Sequence, residues 1–250
     1  ANPGCFKQLL YLELQSKSRK LCFFLAGLSH KLLKPDSFFS LSALPALEQI
    51  TSEGIYAIRM GAVVNGPLIN YDPMVIDYAT EFRTDFMDIY LGAKCFFCIS
   101  TRAGFDGIPF IFRRSIASLC VPLVLIFTSS TKYLSIVKHH KYKKNQKELT
   151  ISEIFSSNVA TGPGSTNRFD QNGVELRENS PEEIRDLVIE MDDRLNGNWK
   201  ETKEDKILQE KFWSIFKENI KKLNLKKTLH GKIKARFGSK YLRENQDWIK

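Results

Sequence analysis

The residues best suited to chemistry are Ser100-Thr101-Arg102-Ala103-Gly104-Phe105-Asp106-Gly107-Ile108-Pro109, directly after an apolar run of strand length at 95–100. Small residues let backbone N–H groups approach an anion, and hydroxyls add donors. Arg113 and Arg114 follow closely and carry the fixed charge that phosphate oxygens attract. Phosphate binding is one reading of the loop, and an ordinary strand-to-helix turn is the other. The spacing is neither a Walker loop nor G-x-G-x-x-G. Arg59 stands near the end of a second β-rich run at 55–60, just before Gly61. In a parallel sheet it shares an edge with that loop; by itself it reads as a solvated arginine on an edge strand. Arg83, Asp85 and Asp88 gather where Thr84 is suited to cap a helix, so capping with a local ion pair accounts for them.

Other chemistries find little support. Cys95 and Cys98 form a C-x-x-C around two phenylalanines, with no second pair at zinc spacing, so two buried small side chains are the plainer reading. His30 and His230 have no ligand-spaced partners, and no nucleophile elbow is present. No metal site is expected. The basic stretch 132–147 includes His139 and His140 and reads as a solvated charge run, since no aromatic interleaving supports base stacking.

The formal charge of +9 over 250 residues suggests anionic partners such as nucleic acid, phosphorylated small molecules or acidic lipid. Ordinary hydrophobic and charged fractions exclude a disordered, collagen-like or coiled-coil chain. Five cysteines, an odd number in a long chain, argue against a disulfide framework and for a reducing cytoplasm. No run reaches the roughly 18 apolar residues of a membrane span. The run 21–28 follows Lys17, Arg19 and Lys20 as in a signal peptide, but lacks a convincing cleavage site.

These residues must be positioned by regular elements. The spacing predicts a helix over 44–52 ended by Gly54, strands at 55–60 and 74–78, a helix from Thr84 ended by Gly92, and strands at 95–100 and 116–127. Thr150 and Glu153 predict a capping box, 158–172 an exposed loop, and 174–177 a strand in or beside the main sheet. Ser180-Pro181-Glu182-Glu183 opens a helix whose Ile184, Leu187, Val188 and Met191 share one face. Thr202 begins another through about 220, and Phe212, Trp213, Phe216 and Trp248 are expected to pack inward. Alternation over 54–195 argues for an α/β fold with a mainly parallel sheet, 55–60 and 95–100 central. Three regions are expected: a poorly defined segment 1–43, a Rossmann-like domain 44–200, and a basic helical extension 201–250. Within that extension, 217–250 carries 11 basic and 3 acidic side chains, suited to an anionic membrane surface.

The segments GIYAIRMG (54–61), IDYAT (76–80), TDFMDIYLGAKC (84–95), the loop with Ile111-Phe112-Arg113-Arg114, LTISEIF (149–155), 173–195 and HGKIKARFGSKYLREN (230–245) occur in one order. Together, over roughly residues 44–250, they resemble a family of bacterial glycosyltransferases associated with surface-carbohydrate and lipopolysaccharide synthesis. The resemblance implies the carboxyl-terminal, donor-binding half of a GT-B enzyme, a Rossmann-like parallel sheet flanked by helices with further helices at its carboxyl end. It implies transfer of a sugar from a nucleotide-sugar donor to a carbohydrate or lipid-linked acceptor, with no metal or other cofactor, in the cytoplasm at the inner face of the membrane. In such a reaction the leaving diphosphate gains negative charge, which amides, hydroxyls and arginines can stabilise. Ser100, Thr101 and Gly104 are the candidates for the diphosphate, Arg59 and Arg113 for charge stabilisation, and Asp106 for sugar or ribose hydroxyls. Gly61 joins the donor set, and no catalytic base is named.

The chain also departs from the family. Arg102 and Ala103 stand where members usually carry small or hydroxyl residues, Ser115 stands where they usually carry proline, and the stretch before 44 does not resemble their amino-terminal domain. These departures, with a start at Ala1, point to a fragment or degenerate copy, active only if the acceptor half is supplied. The alternatives are a non-catalytic domain of that family and, as a second, a basic nucleic-acid-binding protein.

Overall fold

The computed structural model describes residues 20–25, 37–62, 64, 66–68, 72–81, 83–101, 104–120, 123, 129–157, 159–160, 166–223 and 232–250. These form two compact units, one up to Ala117 and one from Ser118 onward.

The first unit alternates strands and helices: β1 (Leu21–Leu25), α1 (Ser37–Ser52), β2 (Tyr56–Met60), β3 (Val75–Ile76), α2 (Tyr78–Glu81), α3 (Asp85–Lys94), β4 (Phe97–Ser100), α4 (Gly107–Ile111) and β5 (Ser115–Cys120), within which the division between units falls. The strand order is β3-β2-β1-β4-β5. β1 pairs in parallel with β2 and with β4, and β2 pairs in parallel with β3. Ala57, Ile58 and Met60 on β2 and Phe97, Cys98 and Ile99 on β4 are fully buried. Continuous burial is what a parallel sheet covered on both faces requires. This is a Rossmann-like α/β arrangement, as the alternation predicts. The expected strands at 55–60 and 95–100 are present, but β1 lies between them, inside the segment expected to be poorly defined. The expected strand at 116–127 is β5 as far as Cys120; residues 121–122 and 124–128 lie outside the described residues.

Local chemistry sets the boundaries. Gly54, after α1, has φ +76°, a left-handed turn that glycine enters without steric cost. Thr84 caps α3 by accepting from the Met87 N–H at 3.2 Å. Arg83 pairs with Asp85 and Asp88 at 3.3 and 2.9 Å, so the capping-and-ion-pair reading of this cluster holds. The Tyr78 hydroxyl accepts from the Thr84 N–H and donates to Asp88, both at 3.0 Å. Burial holds that phenol well above its ordinary pKa. Gly92 does not end α3; it lies inside the helix, where a Cβ would come within 2.7 Å of Ile108 on α4. It is glycine because two helices meet there. Cys95 is buried just before β4, its thiol donating to the Gly92 carbonyl at 3.4 Å, and burial pushes its pKa up to about 12. The C-x-x-C is thus a pair of buried thiols.

The second unit contains β6 (Tyr133–Val137), β7 (His139–Tyr142), α5 (Ile151–Ser156), α6 (Thr166–Gln171), β8 (Val174–Arg177), α7 (Pro181–Asn196), α8 (Lys203–Lys222), β9 (Arg236–Phe237) and α9 (Ser239–Glu244). β6 pairs in parallel with β9. β8 is not in the parallel sheet: it pairs antiparallel with β7 in a two-stranded ribbon, His139 opposite Arg177. The loop expected at 158–172 contains α6, whose Phe169 is buried. Capping boxes at Thr150/Glu153, Ser180/Glu183 and Thr202/Asp205 start α5, α7 and α8. The Ile184, Leu187, Val188 and Met191 face of α7 is buried, and Phe212, Trp213, Phe216 and Trp248 pack inward around Phe237 and Tyr241.

The basic stretch is a solvated charge run only in part: Lys132, Lys143, Lys144 and Lys147 are exposed, but its centre is not. Lys138 and His140 are buried, 5% and 1% exposed. Lys138 pairs with Glu178. His139 bridges two carboxylates, Nδ1 2.5 Å from Glu148 and Nε2 3.0 Å from Glu183. Burial works against its charge, but the two carboxylates prevail and lift its pKa to about 9. His140 lies one residue on with its Nδ1 2.8 Å from the Lys138 carbonyl, and burial lowers it to about 4.

Candidate functional site

In the first unit the strand order reverses direction between β1 and β4, the place where open α/β sheets bind ligands at their carboxyl edge. Phe24 of β1 lies in register with Arg59 on β2 and with Ile99 on β4. At about 4.8 Å per strand, the Arg59 and Ile99 backbones are roughly 10 Å apart across β1. Arg59, Gly61 and Ser100 therefore share one edge, with Thr101, Gly104 and Asp106 in the loop that leaves it. Residues 102 and 103 lie outside the described residues, as does the stretch 26–36 after β1.

The groups gathered there are partly engaged with one another. Arg59 is 3% exposed and is neither solvated nor on an edge strand. It pairs with Asp77 at 3.2 Å and donates to the Gly66 carbonyl at 2.8 Å. Asp77 also accepts from the Leu68 N–H and the Thr80 hydroxyl, each at 2.7 Å. One carboxylate thus ties β2 to both sides of β3, while the buried Arg59 Nε has no acceptor. Gly61 is buried, Ser100 is fully buried and Thr101 is half-buried. Gly104 is exposed with φ +96°, and no atom lies within 4 Å of where its Cβ would stand. Asp106, 5% exposed, accepts from the Gly104 N–H at 3.2 Å. The loop amide expected to face a diphosphate and the carboxylate expected to face a hydroxyl meet each other.

Arg113 does not join this group. α4 leads away from the loop, and Arg114 Nε donates to the Ala93 carbonyl at 2.5 Å, beside the end of α3 that precedes β4. Arg113 and Arg114 therefore lie toward the amino end of β4. Sequence proximity to the loop suggested otherwise; the intervening helix is the reason it misleads. Conversely, the sequence did not single out Asp77, although it lies within the run expected as a strand at 74–78 and within the IDYAT segment.

Among the described residues, no three His, Cys, Asp or Glu side chains gather in a way that could hold a metal ion. Among the same residues, no helix is long and apolar enough to cross a membrane. Five basic residues of the carboxyl-terminal stretch are paired: Lys222 with Glu218, Arg236 with Glu201, Lys240 with Asp186, Arg243 with Asp205 and Lys250 with Asp247. No protein-family model, curated protein or solved structure matches the chain.

Proposed function

We propose that the first unit is the nucleotide-sugar-binding part of a GT-B-type glycosyltransferase, with the donor diphosphate at the carboxyl edge of β1 and β4. The observation that carries this reading is the reversal of strand order at β1 and β4, with a hydroxyl- and glycine-bearing loop leaving that edge. On this reading Ser100, Thr101 and the Gly104 amide meet the leaving diphosphate, and Asp106 gives up its bond to Gly104 to accept from a sugar or ribose hydroxyl. Arg59 contributes through its field, weakened by Asp77, and Arg113 has no part. No metal is called for. A carbohydrate or lipid-linked acceptor is held by a second domain, so transfer needs that half, at the cytoplasmic face of a membrane.

Calorimetric titration of common nucleoside diphosphates tests the reading. Wild type binds; Gly104→Val, which strains the backbone and blocks close approach, weakens binding by about 1.5–3 kcal/mol; Arg113→Ala leaves it unchanged. Binding that Gly104→Val does not alter removes the loop from the site. No binding by any of the three proteins favours a second reading, a non-catalytic domain of the same fold. The observation behind that one is Arg59 already tied to Asp77. A gel shift that weakens steeply with salt instead supports the nucleic-acid alternative.

A further inference from the structure

Six large apolar side chains stand exposed among the described residues, and five of them are Phe86, Ile89, Phe110, Ile111 and Phe112. Scattered single exposures are ordinary, whereas clustering of this kind marks a surface with a partner. Phe86 and Ile89 lie one turn apart on α3, with Tyr90 stacked on Phe86 at 5.9 Å. Phe110, Ile111 and Phe112 are consecutive at the end of α4, 39%, 73% and 47% exposed. Gly92 of α3 packs on Ile108 of α4 and Arg114 bonds to Ala93, so the end of α4 lies against the last turns of α3. Arg113 follows Phe112 directly, exposed and with φ +55°.

We propose that this tip docks on an anionic bilayer surface. Charge selects the occupant. The three exposed apolar residues run straight into Arg113 and Arg114, and Lys94 lies in the last turn of α3 beside them. Aromatic and aliphatic side chains entering the headgroup boundary, with cations beside them at phosphate level, form the combination that interfacial segments use. The left-handed backbone at Arg113 ends α4 and turns the chain there, so apolar and cationic residues occupy one tip. The tip formed by residues 110–114 and Lys94 lies at the opposite end of β4 from the donor loop, so the inference is independent of the proposed donor site.

Co-sedimentation of the full chain with phosphatidylcholine vesicles, alone or with phosphatidylglycerol, tests this. Wild type is expected to partition onto the mixed vesicles at least tenfold more strongly than onto the neutral ones. Ile111→Ser/Phe112→Ser is expected to lose about tenfold or more of that partitioning, and Arg113→Gly about fivefold, with unchanged circular dichroism in both because the side chains are exposed. Partitioning that survives these substitutions assigns binding to the basic carboxyl-terminal stretch and overturns the proposal. A lipid-free dimer that the same substitutions dissociate overturns it too, in favour of a second copy.

Discussion

Arg59, buried in the first unit, and His139, half-buried in the second, are both cations held by carboxylates, yet their surroundings differ. His139 has both ring nitrogens occupied, by Glu148 and Glu183, and Glu183 in turn accepts from the Ser180 N–H and from Asn179. Arg59 shares one carboxylate with a loop amide and a hydroxyl, and its Nε is left over. The saturated network fastens a β-ribbon to the first turn of a helix. The unsaturated one sits at the open edge of a sheet, beside a loop whose glycine stands clear of its neighbours. Polar groups left over at a sheet edge are where a ligand has something to gain.

The largest test of this contrast is Asp77→Ala. It leaves the Arg59 guanidinium buried without its counter-charge and deprives Leu68 and Thr80 of an acceptor. A destabilisation of about 3–5 kcal/mol is expected. Hydrogen exchange should rise in β2 and β3 while α7 and α8 keep their protection. A loss below about 1 kcal/mol would mean that Asp77 is not what holds this edge.

The two neighbouring histidines give the second test, because their pKa shifts have opposite signs. His139 rises from about 6.5 to about 9, so its contribution is fully present below pH 6.5 and fades as pH climbs toward 9. His140 falls to about 4, so its contribution is present above pH 6.5 and fades as pH drops toward 4. The second unit should therefore be most stable near pH 6.5, with each limb changing on the order of 3 kcal/mol. Denaturant titrations across pH should show His139→Gln flattening the alkaline limb alone and His140→Leu the acid limb alone. A His139→Gln protein that keeps its alkaline slope refutes the double bridge.

Gly92→Ala comes third. Its methyl would press on Ile108 at 2.7 Å, so about 1–3 kcal/mol should be lost as α4 shifts. If the exposed tip depends on that helix pairing, vesicle partitioning falls with it; unchanged thermal unfolding would show that the helices separate freely. The smallest expected effect is Ser180→Ala, about 1 kcal/mol from one N-cap. A much larger loss would mean that the cap and the His139 bridge act as one unit through Glu183, which a double-mutant cycle with His139→Gln would measure.

Much of this frame was legible from short-range chemistry. The capping boxes at Thr150 and Ser180 involve residues three apart, so the sequence declares them. The strands around Ile58 and Ile99 are buried on both faces, and their apolar runs are broken only by Arg59. What escaped depended on distance along the chain. β1 was obscured because apolar and basic residues mix before it. Gly92 near the end of a helical pattern resembles a stop signal until Ile108 is seen against it. The histidines read as surface charge because their carboxylates lie 9 and 44 residues away. Arg113 looked close to Gly104 because sequence spacing does not register a helix carrying the chain away.

The Gln209 side chain accepts from the Phe237 N–H at 3.0 Å and donates to the Phe237 carbonyl at 2.5 Å. A side-chain amide thus satisfies both backbone groups of a residue on β9, the strand at the end of its sheet, much as another strand would. The amide is a stopper. Exposed strand edges recruit other chains, and folded proteins must blunt them to remain soluble. At Phe237 that protection rests on one glutamine from α8, so the residue guards against polymerisation as much as it stabilises the fold.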